Sequence, residues 1–272
     1  MNSAMPPALH DRWPVELLRQ ALAPLLPGLT VEVLASIDST NEELMRRSHA
    51  GRTEPCLLVA ERQSAGRGRL GRQWHSDDPQ GPLNLTFSLG LPLTPKDWSG
   101  LSLAVGLSLA HSLHPQIRLK WPNDLWWHER KLAGILLETV SWGNMGPSRY
   151  VVIGVGLNIH KPAVAGLATE PAGLAELLPG VTAAQALERL ARPLVQAIAR
   201  FEQQGFAPLQ ADFNARDALA QLAVNLSDGL QGIALGVDAT GALQVQTASG
   251  VQRVLSSEVS VRPMRASGAP AA

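Results

Sequence analysis

A segment rich in arginine and glycine has the residue types best suited to chemistry in this sequence. Residues 64–74 read Ser-Ala-Gly-Arg-Gly-Arg-Leu-Gly-Arg-Gln-Trp, with three arginines, three glycines and no acidic side chain. Arginine binds carboxylates and phosphates through paired hydrogen bonds, and glycine lets the backbone approach a ligand closely. An apolar run at residues 56–60 precedes this arginine–glycine loop, and a strand-like run at residues 83–89 follows it. The pattern predicts a basic loop between two strands that binds an anion.

Two other interpretations of the arginine–glycine loop are open from its sequence alone. The spacing Gly66-x-Gly68-x-x-Gly71 matches a dinucleotide-binding fingerprint, but that motif must lead from a strand into a helix. Residues 77–82 cannot begin a helix, so this interpretation is disfavoured. The loop is also compatible with a solvated basic segment that has no ligand, and other parts of the chain must decide.

Composition limits the classes of protein to which the chain can belong. With 272 residues, 45% hydrophobic and 17% charged, it is expected to fold as one large domain with an appendage or as two domains. Lys+Arg and Asp+Glu both number 23, and this balance argues against a dedicated DNA-binding domain. The single cysteine, Cys56, excludes a disulfide framework and favours a reducing compartment. Because the sequence shows no signal-peptide or transmembrane pattern, we expect a cytoplasmic protein.

Hydrophobic periodicity predicts the elements that position the loop. Strands are predicted at residues 30–34, 56–60, 83–89, 116–120, 125–127, 131–138 and 150–160, and helices at residues 13–26, 96–114, 182–201 and 209–216. Another helix is expected to begin at Ser39 or Thr40, because each forms a capping box with a glutamate three residues later. Such a polar helix N-terminus also suits a small polar ligand, and both interpretations stay open. After residue 221, short alternating runs predict a small β-barrel.

Three further segments carry residues that suit a ligand site. Lys120-Trp-Pro-Asn-Asp124 ends a predicted strand, Lys131 begins one, and Gly154-x-Gly156-x-Asn158 lies inside another. Glycine inside a strand weakens it unless another group approaches closely, as Gly134 also indicates. A lone lysine at the start of a strand is usually solvated, so Lys131 alone does not indicate a site.

These segments together resemble the signature blocks of the biotin protein ligases, and they occur in that family's order. The matching blocks are residues 66–74, 120–124, 131–135 and 154–158, with residues 38–41 and Gln63 in addition. The resemblance spans roughly residues 30–263. It implies an α+β fold, with an N-terminal extension at residues 1–29, a catalytic domain of the biotin/lipoate protein ligase type at 30–220, an SH3-like β-barrel at 221–265 and a disordered tail at 266–272.

The resemblance implies an ATP-dependent reaction in two steps. The carboxylate of biotin attacks the α-phosphorus of Mg-ATP, which gives biotinyl-5'-AMP and pyrophosphate. A lysine of a biotin carboxyl carrier protein then attacks the mixed anhydride and releases AMP. ATP and Mg²⁺ enter as co-substrate, with no tightly bound prosthetic group and no metal held by protein ligands. Nucleic acid and membrane are not expected partners, and the chain is expected to be a monomer or a weak homodimer.

The resemblance also assigns roles to individual residues. It implies that biotin is bound by Ser39, Thr40, Asn41, Gln63, Arg67, Gly68, Arg69, Lys131 and Gly134. It implies that ATP is bound by Arg67, Arg69, Arg72, Trp74, Asn123, Lys131 and Asn158. The implied catalytic residues are Lys131, Arg67, Arg69 and Asp124. Lys131 would lie between the carboxylate and the α-phosphate, and Asp124 would orient or deprotonate the acceptor lysine, although a structural aspartate at a strand end is the alternative.

Two other functions remain as alternatives. A lipoate or octanoate protein ligase on a related fold would also use a lysine and a carboxylate substrate, but is not expected to carry this arginine–glycine loop. A biotin-responsive regulator would need a DNA-binding domain, which residues 1–29 with their scattered prolines do not suggest. We further expect the loop to stay disordered until an anion binds, since like charges and glycines give it little reason to fold.

Overall fold

The computed structural model describes residues 12–74, 84–141, 148–164, 169–255 and 261–263. The tail predicted to be disordered at residues 266–272, the segment at residues 77–82 and the first eleven residues of the extension lie outside the described residues. The domain bounds expected from the sequence stay a prediction.

A seven-stranded mixed sheet forms the larger part of the fold. Its strands are β1 (Thr30–Leu34), β2 (Cys56–Ala60), β3 (Asn84–Leu93), β4 (Arg118–Lys120), β5 (Asp124–Trp127), β6 (Arg130–Ser141) and β7 (Arg149–Asn158). The order is β1-β2-β3-β7-β6-β5-β4, with β1 and β2 parallel and every other neighbouring pair antiparallel. This sheet, with helices on both of its faces, confirms the predicted α+β class.

The helices cover the two faces of this sheet unequally. They are α1 (Val15–Leu22), α2 (Thr40–His49), α3 (Leu101–Leu113), α4 (Ala183–Gln204) and α5 (Gln210–Arg216). The main apolar core contains the buried side chains of α3 and α4 together with one face of the sheet. On the opposite face, Leu44 of α2 packs in a smaller cluster with Leu58 and Tyr150. Among the described helices, α2 is the one packed on that second face, and it is short enough to leave part of the face available for a site.

The C-terminal strands form a second sheet. They are β8 (Ala223–Leu226), β9 (Gln231–Val237), β10 (Leu243–Thr247), β11 (Gly250–Val254) and β12 (Val261–Pro263), all antiparallel, in the order β11-β10-β9-β8-β12. The prediction of short β-strands after residue 221 is confirmed. Trp121 Nε1 donates a hydrogen bond to the carbonyl of Gly241 at 3.0 Å, and Asn214 is bonded to Val237 in both directions. The apolar core is continuous between the two sheets.

Some element ends differ from the predicted ones for local reasons. The helix predicted from residue 96 begins only at Leu101, because Gly100 is in the left-handed region with φ 83° and a Cβ there would contact Phe206. The strand predicted to end at residue 89 continues to Leu93. Its Pro92 lies beyond the last residue paired with β2, where β3 has a single neighbour and a missing N–H is tolerated.

None of the helices in the described part of the chain is both long enough and apolar enough to cross a lipid bilayer.

Candidate functional site

The register of the large sheet aligns small and polar residues in rows on one face. One row contains Ala60, Thr86, Gly156, Gly134, Asp124 and Lys120. The next row contains Leu58, Ser88, Gly154 and Leu136. Paired residues on neighbouring strands point to the same side of a sheet, so both rows lie on one face. Residues between them, such as Phe87 and Val155, belong to the main core on the other face.

The two strand glycines of β7 make space for side chains that lie over this face. A Cβ at Gly154 would lie 2.1 Å from Asn41 Oδ1, and a Cβ at Gly156 would lie 2.3 Å from Trp74 Cε2. Both distances are far shorter than non-bonded atoms can approach, so only glycine fits at either position with these side chains in place. The close approach that the sequence indicated is therefore made by an asparagine of α2 and by the last residue of the arginine–glycine loop.

A buried polar pocket forms where α2 begins. Ser39 caps the helix by accepting a hydrogen bond from the Glu42 amide, and Gln63 Oε1 accepts from the Thr40 amide at 2.8 Å. Ser88 Oγ lies 2.6 Å from Asn41 Oδ1 and 2.7 Å from Thr40 Oγ1. These side chains are buried, and together they offer both donors and acceptors. We call Ser39, Thr40, Asn41, Gln63 and Ser88 the polar pocket.

Ser88 was not singled out by sequence reasoning. The signal that points to it is the alternation in β3, where Asn84, Thr86 and Ser88 are polar and the residues between them are apolar. All three are buried, so the polar face of β3 is directed into a protein environment rather than into water.

The arginine–glycine loop is a narrow hairpin-like loop. The Gly68 amide donates to the Arg72 carbonyl at 2.7 Å, and the Trp74 amide donates to the Gly66 carbonyl at 2.9 Å. At the tip, Leu70 and Gly71 both have positive φ, 57° and 69°. The loop borders a groove of about 540 Å³, whose far wall is formed by Leu136 and Glu138. The sequence-based prediction of a loop between two strands is confirmed.

Arg67 binds two carboxylates. Its Nη1 lies 2.8 Å from Glu42 Oε2, and its Nη2 lies 2.6 Å from Glu138 Oε1. The family resemblance assigned Arg67 to biotin and ATP, which stays a prediction; in this structure its guanidinium joins the loop to α2 and to β6.

A cluster of cations surrounds Asp124, which lies in the same row of the sheet as Gly156 and Gly134. Lys131 Nζ lies 2.8 Å from Asp124 Oδ1, and Arg69 Nη1 donates to Asn123 Oδ1 at 3.4 Å. Arg69 and Lys120 interact electrostatically with both Asp124 and Arg72. We call Arg69, Arg72, Lys120 and Lys131 the cation cluster.

Burial sets the charge properties of the cation cluster. Burial lowers the pKa of the Arg69 guanidinium and lowers the pKa of Lys120 to about 8, while the charge of Asp124 acts in the opposite direction. Asp124 interacts with Arg69, Lys120 and Lys131 of this cluster. Because burial disfavours the charged forms of Arg69 and Lys120, an anion that enters the cluster would stabilise those charges. Lys120 was not predicted as a site residue, although it begins the block that ends at Asp124.

Lys131 reaches this face through a β-bulge. Asp124 pairs with Gly134 and Leu125 with Ala133, but Trp126 pairs with Lys131, so Leu132 is the extra residue. Without the bulge, alternation from Gly134 would direct Lys131 to the core face. Bulges redirect side chains in this way next to functional sites. A Cβ at Gly134 would lie 3.2 Å from Lys131 Nζ, so the glycine leaves room for the lysine.

Known proteins match the chain over both sheets. Residues 33–158 match the biotin/lipoate A/B protein ligase family, and residues 223–262 match the biotin protein ligase C terminal domain. The bifunctional ligase/repressor BirA of Escherichia coli is 34% identical over 264 residues, which cover 92% of this chain and 79% of that protein. The chain belongs to the biotin protein ligase family.

Two other members of the biotin protein ligase family show how much of the chain is shared. The biotin--[acetyl-CoA-carboxylase] ligase of Paracoccus denitrificans is 32% identical over 242 residues, 84% of this chain and 98% of that protein. The biotin protein ligase from Aquifex aeolicus, solved in complex with biotin and ATP, matches with a TM-score of 0.72 and 26% identity. That match covers 86% of this chain and 99% of the Aquifex chain.

In this biotin protein ligase, the two asparagines assigned to ATP are bonded to backbone groups. Asn123 Nδ2 donates to the Ile135 carbonyl at 2.8 Å. Asn158 Nδ2 donates to the carbonyls of Lys131 and Ala172 at 3.2 and 3.0 Å. Asn158 thus holds the backbone that carries Lys131. Among the described residues, no group of three or more His, Cys, Asp or Glu side chains could hold a metal ion.

Proposed function

We propose that this biotin protein ligase forms biotinyl-5'-AMP from biotin and Mg-ATP and then transfers biotin to a lysine of a biotin carboxyl carrier protein. The observation that carries the proposal is the juxtaposition of the polar pocket and the cation cluster on one sheet face. Gly154 lies beneath the polar pocket, and Gly156 lies in the same row as Asp124 and Lys120 of the cation cluster; the two glycines are about 7 Å apart along β7. That separation suits one ligand with a neutral polar end and an anionic end.

The polar pocket suits the ureido ring of biotin. The ring has two N–H donors and one carbonyl acceptor, and buried polar groups of a ligand need partners. Ser39, Thr40, Asn41 and Gln63, which the family resemblance assigns to biotin, all lie in this pocket, and Ser88 adds a hydroxyl to it. The valeryl carboxylate of biotin would then extend towards Lys131.

The cation cluster suits adenylation. A carboxylate oxygen of biotin attacks the α-phosphorus of ATP, and pyrophosphate leaves with the electron pair of the broken P–O bond. The two anions repel each other, so Lys131, Arg69 and Arg72 are proposed to hold them together and to stabilise the charge that develops in the transition state. Mg²⁺ enters with ATP as part of the co-substrate. Trp74, packed over Gly156, is proposed to form one wall for the nucleotide.

Transfer to the carrier requires a neutral amine. The amine of the acceptor lysine attacks the acyl carbon of biotinyl-5'-AMP, the acyl–phosphate bond breaks, and AMP leaves. A free lysine has a pKa of about 10.4 and is mostly protonated at neutral pH, so a base is required. Asp124 is our candidate, because its side chain lies on the site face in contact with Lys131. The Paracoccus relative is named for acetyl-CoA carboxylase, whose carrier domain is the proposed partner.

The alternative function, a lipoate or octanoate protein ligase, differs from this proposal in the carboxylic acid that the enzyme activates. The match of residues 223–262 to the biotin protein ligase C terminal domain favours biotin. Pyrophosphate release is measured with Mg-ATP and either biotin or lipoate. We expect turnover with biotin and none above background with lipoate. The proposal would be refuted if lipoate supported turnover and biotin did not. It would also be refuted if a folded sample showed no turnover with either acid.

A further inference from the structure

Glu138 joins two walls of the proposed biotin site. It lies on β6 two residues beyond Leu136, on the same face, and its carboxylate is partly buried. One oxygen, Oε1, lies 2.6 Å from Arg67 Nη2 in the arginine–glycine loop. The other, Oε2, accepts a hydrogen bond from Asn41 Nδ2 at 2.8 Å. Each oxygen of this one carboxylate therefore binds a different wall.

The carboxylate also determines how the Asn41 amide is oriented. An ionised carboxylate only accepts hydrogen bonds, so the NH₂ group of Asn41 must face Glu138. The same NH₂ group contacts the Leu136 carbonyl at 3.3 Å, and the Asn41 oxygen consequently faces Ser88 at 2.6 Å. A glutamine at position 138 could present either an oxygen or an NH₂ group, so the orientation would no longer be enforced.

Arg67 is neutralised by its partners. The guanidinium contacts Glu138 and Glu42, so the three groups together carry one surplus negative charge. Such an arginine is a poor counter-charge for a carboxylate or phosphate ligand. It is well suited to holding the loop against α2 and β6, which leaves anion binding to Arg69, Arg72 and Lys131.

We infer that Glu138 is a positioning residue for biotin, which holds the loop through Arg67 and orients the Asn41 amide in the pocket. The inference rests on the proposed function, because Asn41 matters to biotin only if the polar pocket binds it. The hold on the loop is a separate consequence and can be measured without substrate.

The test compares three isosteric variants. Glu138→Gln removes both effects, Glu42→Gln removes the other partner of Arg67 without touching Asn41, and Glu16→Gln removes a surface ion pair with Arg19 as a control. Limited trypsin digestion reports cleavage at Arg67, Arg69 or Arg72 without any substrate. Biotin-dependent pyrophosphate release gives the KM for biotin and kcat, and a thermal melt checks the fold.

Two results are expected. Loss of a partly exposed ion pair raises loop cleavage by about threefold to fivefold in both Glu138→Gln and Glu42→Gln. Only Glu138→Gln also raises the KM for biotin, by about fivefold or more, with kcat within about twofold of wild type. Glu16→Gln changes neither quantity.

Other outcomes would overturn the inference. Cleavage of Glu138→Gln at the wild-type rate would show that Glu138 does not hold the loop. An equal rise in the KM for biotin in Glu138→Gln and Glu42→Gln would show that the Asn41 amide is not what Glu138 positions. Absence of biotin turnover in folded wild-type protein would instead count against the proposed function, and the digestion would still test the loop contact.

Discussion

Gly154→Ala should weaken biotin binding, because the added methyl group would occupy the space of the Asn41 side chain. The new Cβ would lie 2.1 Å from Asn41 Oδ1 and 2.8 Å from Asn41 Cγ. The amide must move by more than about 1 Å to restore van der Waals contact. That movement breaks its hydrogen bonds to Ser88 and to Glu138, which are 2.6 and 2.8 Å long.

The size of the effect follows from those two hydrogen bonds. A neutral hydrogen bond contributes about 1 kcal/mol and one to a charged group about 2 kcal/mol, so about 3 kcal/mol is lost in total. Part of the loss lowers the free energy of unfolding, and the rest lowers biotin affinity. Since each 1.4 kcal/mol of binding free energy is about tenfold, the Kd for biotin should rise by about tenfold to about 100-fold.

Gly156→Ala is the matched substitution on the same face, two residues along β7. Its Cβ would lie 2.3 Å from Trp74 Cε2, so it displaces the proposed nucleotide wall rather than the biotin pocket. Isothermal titration with biotin alone and with ATP alone, accompanied by thermal melts, compares the two variants. We expect Gly154→Ala to weaken biotin more than ATP and Gly156→Ala to weaken ATP more than biotin. If both folded variants lost affinity for biotin and for ATP equally, the assignment of biotin to the polar pocket and of the nucleotide to the Trp74 side would be refuted.

The remaining predictions concern three buried or ion-paired groups. Lys131→Met should lower kcat/KM for adenylation by about a hundredfold or more, with an unchanged far-UV spectrum, because the cation beside the reacting oxygens is lost; near-normal pyrophosphate release would contradict this. Burial raises the pKa of Asp217 from 3.8 to about 6, so the contribution of this carboxyl group to stability should fall as pH rises from about 4 to about 6. Asp217→Asn can keep the bond from the Leu219 amide and should stabilise the protein by up to about 3 kcal/mol at pH 8 and hardly at all at pH 3.5, as thermal melts would show. Burial raises the pKa of the Cys56 thiol to about 11, so iodoacetamide should modify it only after unfolding, and rapid labelling of native protein at pH 8 would be inconsistent with the structure.

Much of the fold could be predicted because local patterns determine it. Alternation in the C-terminal strands and the capping residue Ser39 of α2 reflect physics within a few residues, and the structure has both. The blocks around Lys131 and Gly154 were recognisable for the same reason. What the local pattern does not contain is the register between strands that are distant in sequence. The rows that bring Ser88, Gly154 and Leu136 together exist only through that register.

Two features of the site could not be predicted from the sequence, because they also depend on how distant segments pair in the fold. Lys131 and Gly134 are an odd number of residues apart, so strand alternation alone would place them on opposite faces, and only the bulge at Leu132 directs the lysine to the site. The partners of Arg67 come from α2 and β6, and nothing near the loop indicates them. The resemblance assigned Arg67 to biotin and ATP, and the structure adds Glu42 and Glu138 as partners that the sequence around the loop does not indicate.

The most direct test of the central claim is transfer of biotin to a carrier lysine. The purified chain is incubated with biotin, Mg-ATP and the unmodified carrier domain of acetyl-CoA carboxylase, and the carrier is weighed by intact-mass spectrometry. We predict the gain of one biotinyl group on a single lysine, dependent on both biotin and ATP, and no gain with Lys131→Met. A folded wild-type chain that adds no biotin, or that adds lipoate in its place, would contradict the account.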